Sequence, residues 1–266
     1  MGEPPRFWLL WVRTEWWKSR KGRKSATLDS MNRLAIADAR FSGIGIHRLY
    51  VLRRVWDAPT RLFHWAVVVL VVALWLTQYE GWMPQHMLCG YAMMALLLFR
   101  LAWGVVGSDT ALFRRFLKSP LAAFRHLRHL RRRPADTEIG HNAAGGWMVL
   151  LMLLLLCVQV ATGLCANDEI STQGPLADTV GPDASDWLSH IHAINFTLIE
   201  IAISLHVLAI LIYRLLGYRL AWPMITGRKS LPDAVPPPRM ASPWLAAGLL
   251  CAAAAVVWFV VAHFSD

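Results

Sequence analysis

The fold is decided by residues 187–214, WLSHIHAINFTLIEIAISLHVLAILIYR, an apolar run long enough to cross a bilayer. The run carries His192 and His206, fourteen positions apart. On an α-helix this spacing places both imidazoles on nearly the same face, roughly 21 Å apart along the axis. That distance is most of a ~30 Å hydrocarbon core. Two histidines near opposite leaflets indicate two stacked cofactors rather than one metal ion.

The composition is that of a membrane protein. Of the 266 residues, 56% are hydrophobic and 17% are charged, whereas a soluble domain is about a quarter charged. The net charge of +10 does not indicate a nucleic-acid partner, because the basic residues lie in blocks between apolar runs. The four cysteines form no CxxC or CxxCH motif, which disfavours a zinc site and covalent haem attachment.

Four further apolar runs have the ~20 residues that a spanning helix needs. Together they predict an all-α integral membrane protein, with a four-helix transmembrane bundle and a fifth, C-terminal transmembrane helix. Asp57 or Thr60 is expected to cap the first helix. In chain order the predicted spans are Pro59–Tyr79, Pro84–Trp103, Gly145–Ala166, Trp187–Arg214 and Pro243–His263.

Segments outside the bundle have their own signals. Residues 111–130 mix apolar and basic side chains and predict one amphipathic helix at the membrane interface. In the fifth span, the small-xxx-small spacing of Gly248 and Ala252 suits helix packing, with a partner or in a homodimer, unless the span only anchors the tail. The predicted parts are a disordered or interfacial cytoplasmic extension (1–54), the four-helix membrane bundle (55–230), and a linker with the fifth span (231–266).

Loop charge predicts the orientation of the chain in the membrane. Lys and Arg number twelve in residues 1–54, eight in 104–144 and five in 214–239. By the positive-inside rule these segments are cytoplasmic, so that the fifth span leaves the C-terminus on the outer side. The loop 165–189 has no Lys or Arg and is expected to lie on the outer side; its acidic residues are Asp168, Glu169, Asp178, Asp183 and Asp186.

Four histidines match in depth under this orientation. His64 opens the first span on the cytoplasmic side, and His206 lies towards the same side of the fourth. His86 opens the second span on the outer side, at the depth of His192. Two imidazoles from facing helices are how a bundle holds a b-type haem without a covalent link. We therefore predict two haem b, one between each depth-matched pair.

Other polar residues near these depths are secondary candidates. Arg61 and Arg100 are expected to neutralise the propionates of the inner haem or, alternatively, to extend to the lipid headgroups. His141, at the mouth of the third span, would hydrogen-bond a propionate or a quinone, or be a plain interfacial residue. Glu200 misses the haem face and is expected to be protonated, paired with Gln159 or Thr162, or part of a proton path.

The remaining histidines are interpreted as structural or surface residues. His190 is two positions from His192 and therefore points about 160° away from it on a helix, towards solvent or a loop. The others lie on the basic surface helix, in the N-terminal region or at the last membrane interface. These histidines are His190, His126, His129, His47 and His263.

Several motifs carry a resemblance to a known family. They are WDAPTRLFHW (56–65), GHNAAGGWMVLLMLLLL (140–156), TGL (162–164) followed by GPLA (174–177), the fourth-span histidine pair, and PMITGRK (223–229). In this combination, residues 51–230 resemble the bacterial cytochrome b561 / nickel-hydrogenase cytochrome b subunit family. The resemblance implies a bundle with two b haems, held by His64 with His206 and by His86 with His192. The first 50 residues, the fifth span and Glu200 depart from the family pattern.

The resemblance also implies a function. Family members move electrons between a periplasmic partner and the membrane quinone pool, as subunits of hydrogenases or other dehydrogenases or as free-standing cytochromes. We therefore expect an electron-transfer component of a quinone-linked respiratory chain whose acidic outer loop meets a c-type cytochrome or a dehydrogenase or hydrogenase subunit. One alternative is a self-contained quinone-linked oxidoreductase acting on a small molecule such as superoxide. Another is a haem-free transporter or scaffold.

Overall fold

The computed structural model describes residues 50–128, 138–170 and 172–264. The predicted extension up to residue 49, together with His47, His129 and the basic run 131–133, lies outside these residues. The described chain is mainly helical, with one short two-stranded sheet. In chain order its elements are β1 (Tyr50–Arg54), α1 (Ala58–Tyr79), α2 (Met83–Val106), α3 (Phe113–Phe116), α4 (Pro120–Arg128), α5 (Ala143–Gly163), α6 (Ala177–Val180), α7 (Pro182–Leu215), α8 (Ala221–Thr226), β2 (Arg228–Pro232) and α9 (Pro243–Phe264).

Five of the described helices, α1, α2, α5, α7 and α9, are long and apolar enough to cross a membrane. The predicted membrane helices are therefore confirmed, with end points within a few residues. The exception is the start of α7 at Pro182, five residues before the predicted Trp187. Proline suits a first helical turn because its φ is already helical and its missing N–H is not needed there.

Helix starts follow from capping side chains. Asp57 caps α1, since its Oδ1 accepts a hydrogen bond from the Thr60 backbone N–H at 2.7 Å. Its Oδ2 also accepts from the Trp103 indole N–H at 3.2 Å, which ties the start of α1 to the end of α2. Asn142 caps α5 in the same way, accepting from the Gly145 N–H at 2.7 Å.

The bundle packs in sequence, α1 on α2, α2 on α5 and α5 on α7. Its core cluster contains Met93 and Leu97 from α2, Leu153 and Leu156 from α5, and Ile199 from α7. In the described chain, α7 packs extensively on α5, whereas its contacts with α1 and α2 are sparse. The fourth span therefore packs little against the first two. The four predicted haem ligands lie on these three helices.

The fifth span packs against α2 within the same chain. Ala246 and Ala253 are buried against Phe99 and Trp103. A Cβ added at Gly248 would have no heavy atom within 4 Å, so this glycine lies on the open face of the helix. The packing of α9 on α2 therefore does not use the Gly248 spacing, and a role in a homodimer or with a partner stays a prediction.

The segment 111–130 does not form the single interfacial helix that was predicted. It contains two short helices, α3 and α4, separated at residues 117–119. The break has a local cause, because Pro120 has no N–H to donate and disfavours a helical conformation at Ser119. Along α4, Leu121, Phe124 and Leu127 are exposed in positions that suit an interfacial helix.

A short antiparallel sheet joins the segment before the first span to the segment after the fourth. β1 precedes the first span, and β2 follows the fourth, with Tyr50 opposite Pro232 and Arg54 opposite Arg228. An ion pair of 2.8 Å between Arg53 and Asp233 extends the connection. Residues 50–54, which the sequence grouped with the N-terminal extension, thus form a sheet with a strand that follows the bundle.

Candidate functional site

The four predicted haem ligands lie in two groups at opposite ends of the bundle. The imidazoles of His86 and His192 are close enough to interact electrostatically, and we call them the outer pair. Those of His64 and His206 interact in the same way and are called the inner pair. The structure thus brings together the residues that depth had matched, while their role as ligands stays a prediction.

The outer-pair histidine on α2 has a fixed hydrogen-bonding partner. The Nδ1 of His86 lies 3.0 Å from the carbonyl oxygen of Leu74 and 3.3 Å from the hydroxyl of Thr77, both on α1. A carbonyl oxygen only accepts, so Nδ1 must carry the proton. Nε2 is then the unprotonated nitrogen, with a lone pair available for a metal.

The outer-pair histidine on α7 repeats this arrangement with α5. The Nδ1 of His192 donates to the carbonyl of Gln159 at 2.9 Å and lies 3.2 Å from the hydroxyl of Thr162. The neighbouring Gly163 makes room for the ring, because a Cβ there would lie 2.8 Å from His192 Cε1. Both outer imidazoles therefore have Nδ1 protonated and Nε2 free.

The inner pair lacks such partners among the described residues. The Nδ1 of His64 is buried with no hydrogen bond, and its ring meets Trp65 edge to face at 5.0 Å. Neither ring of the inner pair is oriented by a carbonyl. Their orientation must come from packing or from a bound group.

Arg100 is a buried charge that forms no ion pair with a carboxylate of the described residues, although Asp57 is near enough to interact with it electrostatically. Arg100 is 2% exposed, and its Nη1 has no hydrogen-bond partner in the described chain. Its guanidinium carbon lies 5.0 Å from the ring centre of Phe113 and 6.0 Å from those of Phe63 and Phe116. Aromatic faces stabilise a cation only modestly, so this position favours an anionic ligand.

His141 lies beside this arginine and the inner pair. Its ring contacts Trp56 at 4.7 Å and Phe116 at 4.9 Å, and its Nδ1 is buried without a partner. Burial, reinforced by the nearby charges of Arg100 and the inner histidines, lowers the pKa of His141 to about 3. The ring is therefore neutral at pH 7 and retains one donor and one acceptor.

Arg61 has a protein partner. Its Nη1 donates to the carbonyl of Ile225 at 2.6 Å, in the segment just before β2. Gly227 follows with φ +77°, and a Cβ there would lie 3.0 Å from the Trp56 carbonyl oxygen and 3.2 Å from Arg61 Nε. The glycine thus lets this segment close over the start of α1, and Arg61 links the two rather than extending freely to the headgroups.

The sequence did not predict the contacts that His126 and Asn142 make with the Tyr213 hydroxyl. His126, interpreted as a surface residue, lies 2.9 Å from the Tyr213 hydroxyl through Nε2. Asn142 also donates to that hydroxyl at 3.0 Å, so α4, α5 and α7 meet there. These partners are far apart in sequence, and no local sequence pattern predicts that they are in contact. Of the other histidines, His190 is exposed, whereas His263 stacks on Phe259 at 4.4 Å.

The polar residues midway along α7 divide between two faces. Asn195 is buried and donates to the Leu155 carbonyl at 2.9 Å and to the side-chain oxygen of Gln159 at 2.7 Å. Glu200 is on the exposed side of the helix. The suggested pairing of Glu200 with Gln159 or Thr162 is therefore wrong, because Asn195 and His192 hold those groups.

The site chemistry suits a haem better than a bare ion. In the described part of the chain no three His, Cys, Asp or Glu side chains are grouped to hold a metal. Each end instead offers two imidazoles, as a six-coordinate haem iron requires. The inner end adds Arg100, whose buried Nη1 has no hydrogen-bond partner in the described chain and would fit a propionate.

Comparison with known proteins gave one family match. A family model described as prokaryotic cytochrome b561 matches residues 55–227, more than half of the chain. Neither the search of curated proteins nor the search of solved structures gave a match. The matched residues begin just before α1 and end at Gly227, so they contain both histidine pairs and exclude α9.

Proposed function

The chain belongs to the prokaryotic cytochrome b561 family, and we propose from this premise that it holds two b haems and passes electrons across the bilayer. It is a multi-pass membrane protein and a b-type cytochrome of electron transfer. The observation that carries the dihaem proposal is the separation of four histidines into an outer and an inner pair. A haem iron with two axial imidazoles exchanges single electrons and has no open position for oxygen.

At the outer end, His86 and His192 would be the axial ligands, each through Nε2. Their Nδ1 protons are already engaged by carbonyl oxygens, as is usual for metal-ligating histidines. At the inner end, His64 and His206 would be the ligands. Arg100 and the neutral His141 would bind a propionate, because a carboxylate supplies the charge and the acceptor that these two buried groups lack.

We propose that the chain lies in the bacterial inner membrane with the inner pair towards the cytoplasm. The support is the charge asymmetry of its loops, basic on one side and acidic on the other. Quinone would exchange electrons with one of the two haems. The acidic outer loop would meet a periplasmic redox partner, either a basic c-type cytochrome or a dehydrogenase or hydrogenase subunit.

The self-contained oxidoreductase is less well supported. The outer loop does form a cavity of about 470 Å³. Its lining includes Asp168, Glu169 and Asp178, and these carboxylates would repel an anion such as superoxide. Family membership similarly disfavours a haem-free transporter or scaffold.

Ligand variants of the purified full-length protein test the proposal. The dithionite-reduced minus oxidised spectrum of the wild type should show a b-type band, with two haems per chain by pyridine haemochrome assay. His192→Ala should remove one haem and His206→Ala the other, leaving spectroscopically different remainders. His190→Ala, which changes an exposed histidine on the same helix, is the control and should retain both. A wild type without a b-type band would overturn the proposal, as would ligand variants that keep both haems.

A further inference from the structure

The two outer-pair histidines are held by the same local device on two different helices. On α1 it consists of the carbonyl of Leu74 and the hydroxyl of Thr77, three residues later. On α5 it consists of the carbonyl of Gln159 and the hydroxyl of Thr162, again three residues later. Both threonines are buried near the C-terminal ends of their helices. The repetition gives each outer imidazole two oxygen neighbours at Nδ1.

Proton counting fixes the role of each oxygen. The Thr77 hydroxyl lies 2.7 Å from the carbonyl of Ala73, and the Thr162 hydroxyl lies 2.8 Å from that of Val158. Each hydroxyl has one proton, which it donates to the carbonyl of its own helix. Towards the histidine it therefore presents only a lone pair. An imidazole with Nδ1 unprotonated would face the lone pairs of the Leu74 or Gln159 carbonyl, so this carbonyl selects the tautomer that leaves Nε2 free. Each hydroxyl also lies near that carbonyl, at 3.2 Å for Thr77 and 3.1 Å for Thr162, and with its proton on its own helix it supports the same tautomer.

We propose that Thr77 and Thr162 are positioning residues of the outer haem site, which set the tautomer and ring plane of His86 and His192. The proposal rests on the dihaem function proposed above. A hydrogen bond from Nδ1 raises the basicity of the ligating nitrogen and favours ferric over ferrous iron. The inner histidines have no such acceptors among the described residues. The stabilisation of ferric iron by Nδ1 hydrogen bonds is therefore expected at the outer haem alone.

Thr77→Val and Thr162→Val in the full-length protein test the role, since valine keeps the shape but not the hydroxyl. The measurements are a redox titration followed optically and the EPR spectrum of the oxidised low-spin haems. Each variant should raise the midpoint potential of the outer haem and shift its largest g value, with the inner haem unchanged. Retention of the outer haem should fall by about tenfold, as for other partners of metal-bound histidines.

Matched variants separate positioning from a general effect on folding. Thr77→Ser and Thr162→Ser retain the hydroxyl and should restore the wild-type potential. Thr197→Val removes a hydroxyl from an exposed position on α7 and should change neither haem. The inner haem in the same sample reports whether the bundle is intact. Valine variants that leave both potentials and both EPR signals unchanged would overturn the inference, as would equal loss of both haems without rescue by serine.

The same samples keep this inference distinct from the dihaem proposal. A wild type without b-type haem contradicts the proposed function itself. A wild type with two haems, whose outer haem does not respond to the valine variants, contradicts only the role of the threonines.

Discussion

The outer and inner histidine pairs are built on different principles. At the outer pair, each imidazole donates Nδ1–H to a helix carbonyl, so the protein fixes its ligands before any cofactor is considered. At the inner pair, His64 has no such bond, but the buried charge of Arg100 and the neutral ring of His141 stand nearby. In the proposed dihaem arrangement, the residues of one end would thus orient the histidines that hold the iron, and those of the other end would bind the haem carboxylates. Ligand hydrogen bonding and local charge are both means of adjusting a haem potential.

The largest expected effect comes from closing the space beside one outer ligand. Gly163→Ala would place a methyl group 2.8 Å from Cε1 of His192, whose ring is held by its hydrogen bonds and cannot easily move. Overpacking of this kind costs about 1–3 kcal/mol, so we expect loss of most of the outer haem and retention of the inner. Haem content and EPR measure both.

Gly248→Ala is the matched control, because the open face of α9 has nothing within 4 Å of the added Cβ. It should leave both haems in place. Haem loss in Gly248→Ala as large as in Gly163→Ala would contradict the prediction, because the loss would then not depend on the space beside His192.

The second prediction is a difference in potential in the wild type. In the proposed arrangement, the Nδ1 hydrogen bonds would stabilise ferric iron at the outer haem, whereas the Arg100 charge would stabilise ferrous iron at the inner haem. The first effect lowers the outer potential and the second raises the inner one. The outer haem should therefore have the lower potential, by on the order of 100 mV. A redox titration of the wild type and of the single-haem variants checks the order, and a higher outer potential would contradict it.

The third prediction concerns the buried charge alone. Unit charges at an illustrative separation of ~10 Å interact by roughly 1.7 kcal/mol at an effective dielectric constant near 20, or about 70 mV for one electron, which sets the order of magnitude for a buried charge beside a haem. Arg100→Gln should therefore lower the inner potential by about that amount and leave the outer one unchanged. Arg214→Gln, at an exposed position on α7, is the control and should shift neither. A shift of both haems in Arg100→Gln would mean that its charge is not local to the inner site.

The smallest effect should come from the hydroxyl that joins three helices. Tyr213→Phe removes the partner of His126 and Asn142 and should cost about 1 kcal/mol, or a fall in Tm of about 2–4 °C. Neither haem potential should change, because the ligand partners are untouched. Tyr79→Phe, where the side chain is 76% exposed, should have no effect on Tm. A clear change in potential in Tyr213→Phe would connect this contact to the inner haem.

Periodic features could be predicted from the sequence. The five spans follow from runs of apolar residues, and the depth of each histidine follows from its place along a span whose direction is set by loop charge. The break before Pro120 could also have been predicted, because proline at this position interrupts a helix by a local rule.

Features that depend on contacts between distant segments could not. Thr77 and Thr162 look like ordinary small residues at the ends of apolar runs until His86 and His192 are placed beside them. The same holds for Asn195, whose partners are on another helix, and for the pairing of Tyr50–Arg54 with Arg228–Pro232. Glu200 was correctly separated from the histidine face, but its exposure depends on which helices pack against α7.

The β1–β2 sheet has a consequence for biosynthesis. β1 emerges from the ribosome before the first span, but its partner strand does not exist until the fourth span has been made. Three further hydrogen bonds can likewise form only after the fourth span has been made. They join Val55 and Trp56 to the Gly227 carbonyl, and Arg61 to the Ile225 carbonyl. We therefore expect the outer ligands to be in place first, while the end around His64 stays open until translation has passed residue 232. This late closure would leave the nascent protein an entrance through which the second haem can be loaded.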